Sequence, residues 1–270
     1  MNPAPDKRQF EAQFERNLNV TGPVTLDVSL RAGRLRVRRG EDGVVAIRGV
    51  FRARPSILSW SNPEELVQRL ASNPPVEQDG NRIGIGDVFG QWVLRRAYFL
   101  LEVTAPADTR IRAVVDSADL RIEGINGPVD CETESGEIQI ASIQSEVSAA
   151  TDAGSIHTRD VAGSIDVRTD SGGIEALQIG KGIDATTDSG TIRLSQTSAA
   201  PVYARSDSGG VSLKVAEGAG YTVRLRTDSG RIETPEMMRT GSSRDEIEGV
   251  IRGGGSLVKI ETDSGDIEIA

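Results

Sequence analysis

The residues of this chain that could do chemistry are a six-residue phrase, Thr-Asp-Ser-Gly-x-Ile, that returns seven times, together with a single histidine and a single cysteine. The phrase begins at Thr133, Thr151, Thr169, Thr187, Ser206, Thr227 and Thr262, and a worn copy, Asp116-Ser117-Ala118-Asp119-Leu120, precedes them. A serine beside an acid suggests a nucleophile, but a serine nucleophile needs a base within hydrogen-bond reach and a third group to orient that base. His157 is the only candidate base, and near-identical phrases do not make seven active sites. The phrase therefore reads as a structural turn made of Asp152, Gly154, Asp170, Ser171, Gly172, Asp188, Ser189, Gly190, Asp207, Gly209, Asp228, Gly230, Asp263 and Gly265. One histidine and one cysteine cannot make a zinc site. Cys131 falls in a column otherwise filled by Ala and Val, the place of a small core residue.

The acids of the phrase form a second chemical possibility. Stacked at strand spacing, neighbouring carboxylates repel by roughly 0.8 kcal/mol in water before salt screening. Two accounts make such a column tolerable. Each Asp accepts the amide hydrogens of its own Ser-Gly turn, or Ca²⁺ lies between turns and is held by carboxylates of both. Calcium-binding repeats carry a nine-residue Gly-Gly-x-Gly-x-Asp phrase, which this sequence lacks, so the turn cap is the expectation and no cofactor or metal is assigned.

The elements that position these residues follow from their spacing. The serine positions fall at 117, 135, 153, 171, 189, 208, 229 and 264, a period of 18 residues through the first five. Counted from the serine, the fourth residue is always apolar, from Leu120 through Ile138, Ile156 and Ile174 to Ile267. The ninth (Ile125, Ile143, Val161, Ile179) and thirteenth (Val129, Val147, Ile165, Ile183) repeat the pattern. Alternation within each run has period two, the mark of strands with one buried face. A fixed repeat of this length predicts an all-β, single-stranded parallel β-helix or solenoid with about three short strands per coil. Eight coils stacked in chain order at about 4.8 Å give a rod of roughly 40 Å.

The rest of the chain reads as follows. Residues 1–17 are expected as a loose lead-in, and 18–112 as an N-terminal β meander with one short helix at about 62–72, capped by Asn62 and stopped by Asn73-Pro74-Pro75. The solenoid is expected over 113–270, with an insertion at 235–256 that folds over its end. The segment Asp87 to Arg96 is a possible contact loop, because Phe89, Trp92, Arg95 and Arg96 are residue types enriched at contact sites.

Net charge is −9, unevenly spread. Residues 1–112 hold 17 basic and 13 acidic groups, a net of +4, whereas 113–270 hold 14 and 27, a net of −13. Phosphate affinity rests on Lys and Arg, so an acidic solenoid argues against nucleic acid as a partner. No run of about 18 apolar residues is present to cross a membrane as a helix. The polar run Asn2 to Gln9 after Met1 does not read as a secretory signal.

The repeats, the stretch Leu101-Glu102-Val103-Thr104-Ala105-Pro106, the run Ile122-Glu123-Gly124-Ile125-Asn126-Gly127-Pro128-Val129 and the ending Gly253-Gly254-Gly255 resemble the bacterial "putative adhesin" family of β-strand repeats, whose function is unknown. The resemblance covers about residues 18–269 and is weaker before residue 98. It implies a β-helix-like fold, a non-enzymatic role at the cell envelope or outside the cell, and a protein or glycan surface ligand. It carries over no catalytic residues, and a cytoplasmic location stays open. Two other readings compete: a polysaccharide-processing β-helix enzyme, and an envelope-stress sensor domain with a basic peptide partner.

Overall fold

The computed structural model describes residues 10–53, 62–86, 98–242 and 245–270. Its centre is built from pairs of strands. These are β8 (Val129–Ser135) with β9 (Ile138–Ile143), β10 (Val147–Ala153) with β11 (Ile156–Val161), β12 (Ile165–Ser171) with β13 (Ile174–Ile179), β14 (Ile183–Ser189) with β15 (Ile192–Gln196), and β16 (Val202–Ser208) with β17 (Val211–Lys214). The first strands of the pairs ladder in parallel as one sheet and the second strands as another, each residue facing its equivalent one coil on. Fourth, ninth and thirteenth positions all point inward, as with Ile174, Ile179 and Ile183, each at most 3% exposed. The stripe no single coil could bury is covered by its neighbours.

Each coil has two strands rather than three. The third side is reduced to one backbone bond per coil, such as Ala162 N to Ile143 O (2.8 Å) and Gly180 N to Val161 O (2.8 Å). A single left-handed residue turns the corner there: Gly124, Ser142, Asp160 and Gln178, with φ between 54° and 77°. One such residue bends the chain sharply enough that no separate strand is needed to bring the ninth position inward.

The stack also begins earlier than the repeat suggests. β2 (Val24–Arg39) runs parallel to β7 (Thr109–Glu123) over nearly its whole length, with Gly33 beside Ala118 and Leu35 beside Leu120. β2 is thus a further coil, its Arg31-Ala32-Gly33-Arg34-Leu35 occupying the turn. Next to β2, β5 (Arg82–Gly86) extends one sheet and β6 (Tyr98–Ala105) the other, both in parallel. β3 (Val44–Ala53) pairs antiparallel with β6, β1 (Phe10–Asn19) with β3, and β4 (Val76–Asp79) with β5. This corrects the simple meander, in which chain neighbours would pair: β2 faces inward to the stack and β3 lies beyond β6. It also corrects the loose lead-in, since β1 starts at Phe10 and buries Ala12 and Phe14, the latter stacked on Phe51.

The helix α1 (Pro63–Ser72) forms where its signals placed it, with the Asn62 side chain accepting from Glu64 N (3.0 Å). It buries Val67 and Leu70 and packs on β1 and β3, closing that end.

At the other end chain order breaks down. β22 (Ser256–Ser264) lies between β16 and β18 (Tyr221–Ser229), and β23 (Ile267–Ile269) between β17 and β19 (Ile232–Glu233). The last coil is therefore the penultimate rung. The expected lid is instead a pair of strands, β20 (Met238–Ser242) and β21 (Glu246–Ile251), with β21 antiparallel to the outer side of β18. Arg252 to Gly255 then crosses the start of β18 to reach the slot. Glycine is required beneath that crossing, because a Cβ on Gly220 would overlap Gly254 O.

Candidate interaction surface

The geometry of the phrase sorts its residues into those that face the core, those that stack and those that face out. The threonine points inward and donates its hydroxyl to the glycine carbonyl of the preceding rung: Thr169 to Gly154 O (3.0 Å), Thr187 to Gly172 O (3.1 Å), Ser206 to Gly190 O (3.0 Å). Thr151 is equally buried, yet its hydroxyl has no partner. The glycines stack so closely that a Cβ on Gly154, Gly172 or Gly190 would overlap the glycine carbonyl of the rung before.

The aspartates do not cap their own turns. The turn amides are already used, since Gly154 N donates to Ser171 O (3.1 Å) and Gly172 N to Ser189 O (3.0 Å) of the following rung. Side-chain capping occurs three residues on and between rungs, where Asp266 Oδ1 accepts from Arg231 N (2.8 Å) and Asp119 Oδ1 from Glu137 N (3.4 Å). The phrase acids form an outward ridge: Asp116, Glu134, Asp152, Asp170, Asp188, Asp207, Asp263 and Asp228 in spatial order. Arginines meet the ridge toward its ends, at Arg31–Asp116 (2.8 Å), Arg205–Asp207 (3.0 Å) and Arg226–Asp228 (3.1 Å).

Two outward rows flank the ridge. On the sheet of second strands, register links Glu15, Arg48, Glu102, Arg36, Arg121, Gln139, His157, Glu175 and Arg193 across successive strands. His157 sits half-exposed, with Nε2 3.4 Å from Glu137 Oε1 and Nδ1 3.9 Å from Glu175 Oε1. It has carboxylate neighbours on both sides. On the other sheet the row is Asp27, Arg112, Asp130, Ser148, Asp166, Asp184, Tyr203 and Lys259. An open groove of about 650 Å³ runs along its acidic part, lined by Asp27, Arg110, Arg112, Asp130, Glu146 and Asp166 among others. Partial burial, and then the neighbouring Asp166, push the Asp184 carboxyl above its ordinary value, with Arg168 opposing. Cys131 is inside the core, where burial and the Asp130 charge push its thiol far up.

Phe89, Trp92, Arg95 and Arg96 lie outside the described residues. What the sequence reading missed is that the outward row on the second-strand sheet continues without a break from the repeats into the N-terminal strands, through the Arg121–Arg36 step. The signal was Ala32-Gly33-Arg34-Leu35, a copy too worn to be found by matching the phrase.

The family model described as Toastrack DUF4097 matches residues 100–270. Among solved structures, the chain is similar to a putative adhesin from Bacteroides fragilis at 12% identity and TM-score 0.49, over 96% of this chain and 97% of that one. It is also similar to a putative adhesin from Parabacteroides distasonis at 11% identity and TM-score 0.33, over 95% and 97%. A putative cell adhesion protein from Clostridium sporogenes aligns at 10% identity and TM-score 0.30, over 96% and 99%. No protein of curated function matches.

Proposed function

The chain belongs to the Toastrack DUF4097 family, and from that premise we propose that it is a non-catalytic, adhesin-like interaction module of the bacterial cell envelope, with a protein or glycan surface as its ligand. The observation that carries the reading is the display of unlike side chains in outward rows, in register across successive strands of the two-sheet stack. Rows at strand spacing present an extended surface to an extended partner. A reacting centre needs the opposite, a few groups converging within hydrogen-bond reach of one point.

The test immobilises the full chain, measures binding to neutral and acidic polysaccharides and to basic peptides, and assays the same samples for new reducing ends. Binding without new reducing ends is the expected result. Release of reducing ends would favour the polysaccharide-processing alternative, and binding confined to basic peptides the sensor alternative. Antibody fractionation of the source cells checks the compartment: recovery in the envelope fraction is expected, and recovery in the cytosol alone contradicts it.

A further inference from the structure

We propose that residues 256–270 are an exchangeable plug, and that the slot they fill accepts the same segment from a second copy of this chain. The inference is independent of the adhesin-like reading. It starts from the break in chain order: β22 and β23 enter a gap whose two walls, β16 with β17 and β18 with β19, are both made by earlier residues. With the plug out, both walls are unpaired strand edges, and such edges recruit strands from other chains.

The slot selects its occupant. Thr262 Oγ1 donates to Gly209 O on one wall (3.1 Å), and Thr227 Oγ1 on the other wall donates to Gly265 O of the plug (3.0 Å). Gly265 N donates to Ser229 O (3.1 Å), and a Cβ at position 265 would overlap Gly209 O. An incoming strand must therefore bring a threonine and, three residues later, a glycine, with apolar residues where Val258, Ile260 and Ile267 are buried. Several copies of the phrase bring these residues, and the C-terminal copy is the one that the Gly253-Gly254-Gly255 tether leads into the slot.

The tether allows release. Gly253, Gly254 and Gly255 are consecutive, with φ of 84°, 87° and 155°, and glycine can leave those conformations for an extended one without steric cost. The far end of the plug is held to the wall by Ala270 N donating to Leu213 O (2.9 Å). In a closed monomer the short tether keeps the plug beside its own slot at an effective concentration on the order of millimolar. Exchange is thus expected after opening or refolding at high protein concentration. Reciprocal exchange closes a dimer, and one-way exchange leaves a slot open for the next copy.

The test uses two full-length variants, one with Tyr203→Cys and one with Lys259→Cys, which face each other across β16 and β22. They are mixed, unfolded and refolded together at high concentration, then oxidised. The expected product is a covalent heterodimer of twice the chain mass, at several-fold higher yield than from a control mixture pairing Tyr203→Cys with Glu132→Cys. Equal yields in the two mixtures, or no cross-link although both variants regain the native melting temperature, would overturn the proposal.

Discussion

Gly172 and Gly173 are adjacent in sequence but meet different demands. A Cβ on Gly172 would overlap Gly154 O, whereas one on Gly173 would lie 3.5 Å from Thr191 O, an ordinary contact. Gly172→Val is therefore expected to cost about 3 kcal/mol or more and Gly173→Val less than about 1 kcal/mol, read as shifts in the urea midpoint. The threonine column offers a matched pair. Thr187→Val removes a made hydrogen bond and should cost about 1 kcal/mol, while Thr151→Val removes a buried hydroxyl without a partner and should be neutral or stabilising. Equal losses in urea melts of the two would contradict the assignment of that column. Which residues face in was legible from period-two alternation alone. The role of the aspartates was not, because the amides they were expected to cap are taken by a neighbouring rung 18 residues away, a non-local competitor that the Asp-Ser-Gly tripeptide does not reveal.

Strands 18 residues apart all carry the same phrase, so the repeat fixes which residues stack without fixing which copies are neighbours. That is why β22 could be assigned its register from sequence but not its place between β16 and β18. The hidden coil in β2 has the complementary cause: its neighbours supply the ladder, so its turn can dispense with the acid and keep Gly33. Two predictions belong to single columns of these sheets. Cys131 is buried between strands and its thiol is held protonated, so labelling by a thiol reagent at pH 8 should require denaturant; rapid labelling of the native protein would displace β8 from the core. Asp184 faces Asp166 across β12 and β14, and its folded pKa lies above its ordinary value of 3.8. A carboxyl with a raised pKa favours the fold when protonated, so its contribution is present below about pH 4 and is lost as pH rises through the raised value. Asp184→Asn should accordingly raise the melting temperature at pH 7 and leave it unchanged at pH 3, with the size limited by solvent screening. A loss of stability at pH 7 would mean that the carboxylate is held by partners rather than opposed.

Over the whole molecule the acids of the phrase form one ridge, eight carboxylates on successive rungs, in the part of the chain that carries a net −13. The phrase holds the stack together through its threonine, glycine and isoleucine, and we infer that its aspartates act as outward charges rather than as ligands. Repulsion along the ridge then persists in the folded protein, and salt should raise the melting temperature by screening it. The most direct measurement is the melting temperature of the full chain against micromolar Ca²⁺ at fixed ionic strength, beside the double variant Asp170→Asn with Asp188→Asn. The account predicts no calcium-dependent change in either protein, and a melting temperature for the variant equal to or above that of the parent. A ligand that binds only the folded state stabilises by about 2.7 kcal/mol at a hundredfold excess over Kd, so a rise of several degrees in the parent, abolished in the variant, would contradict it.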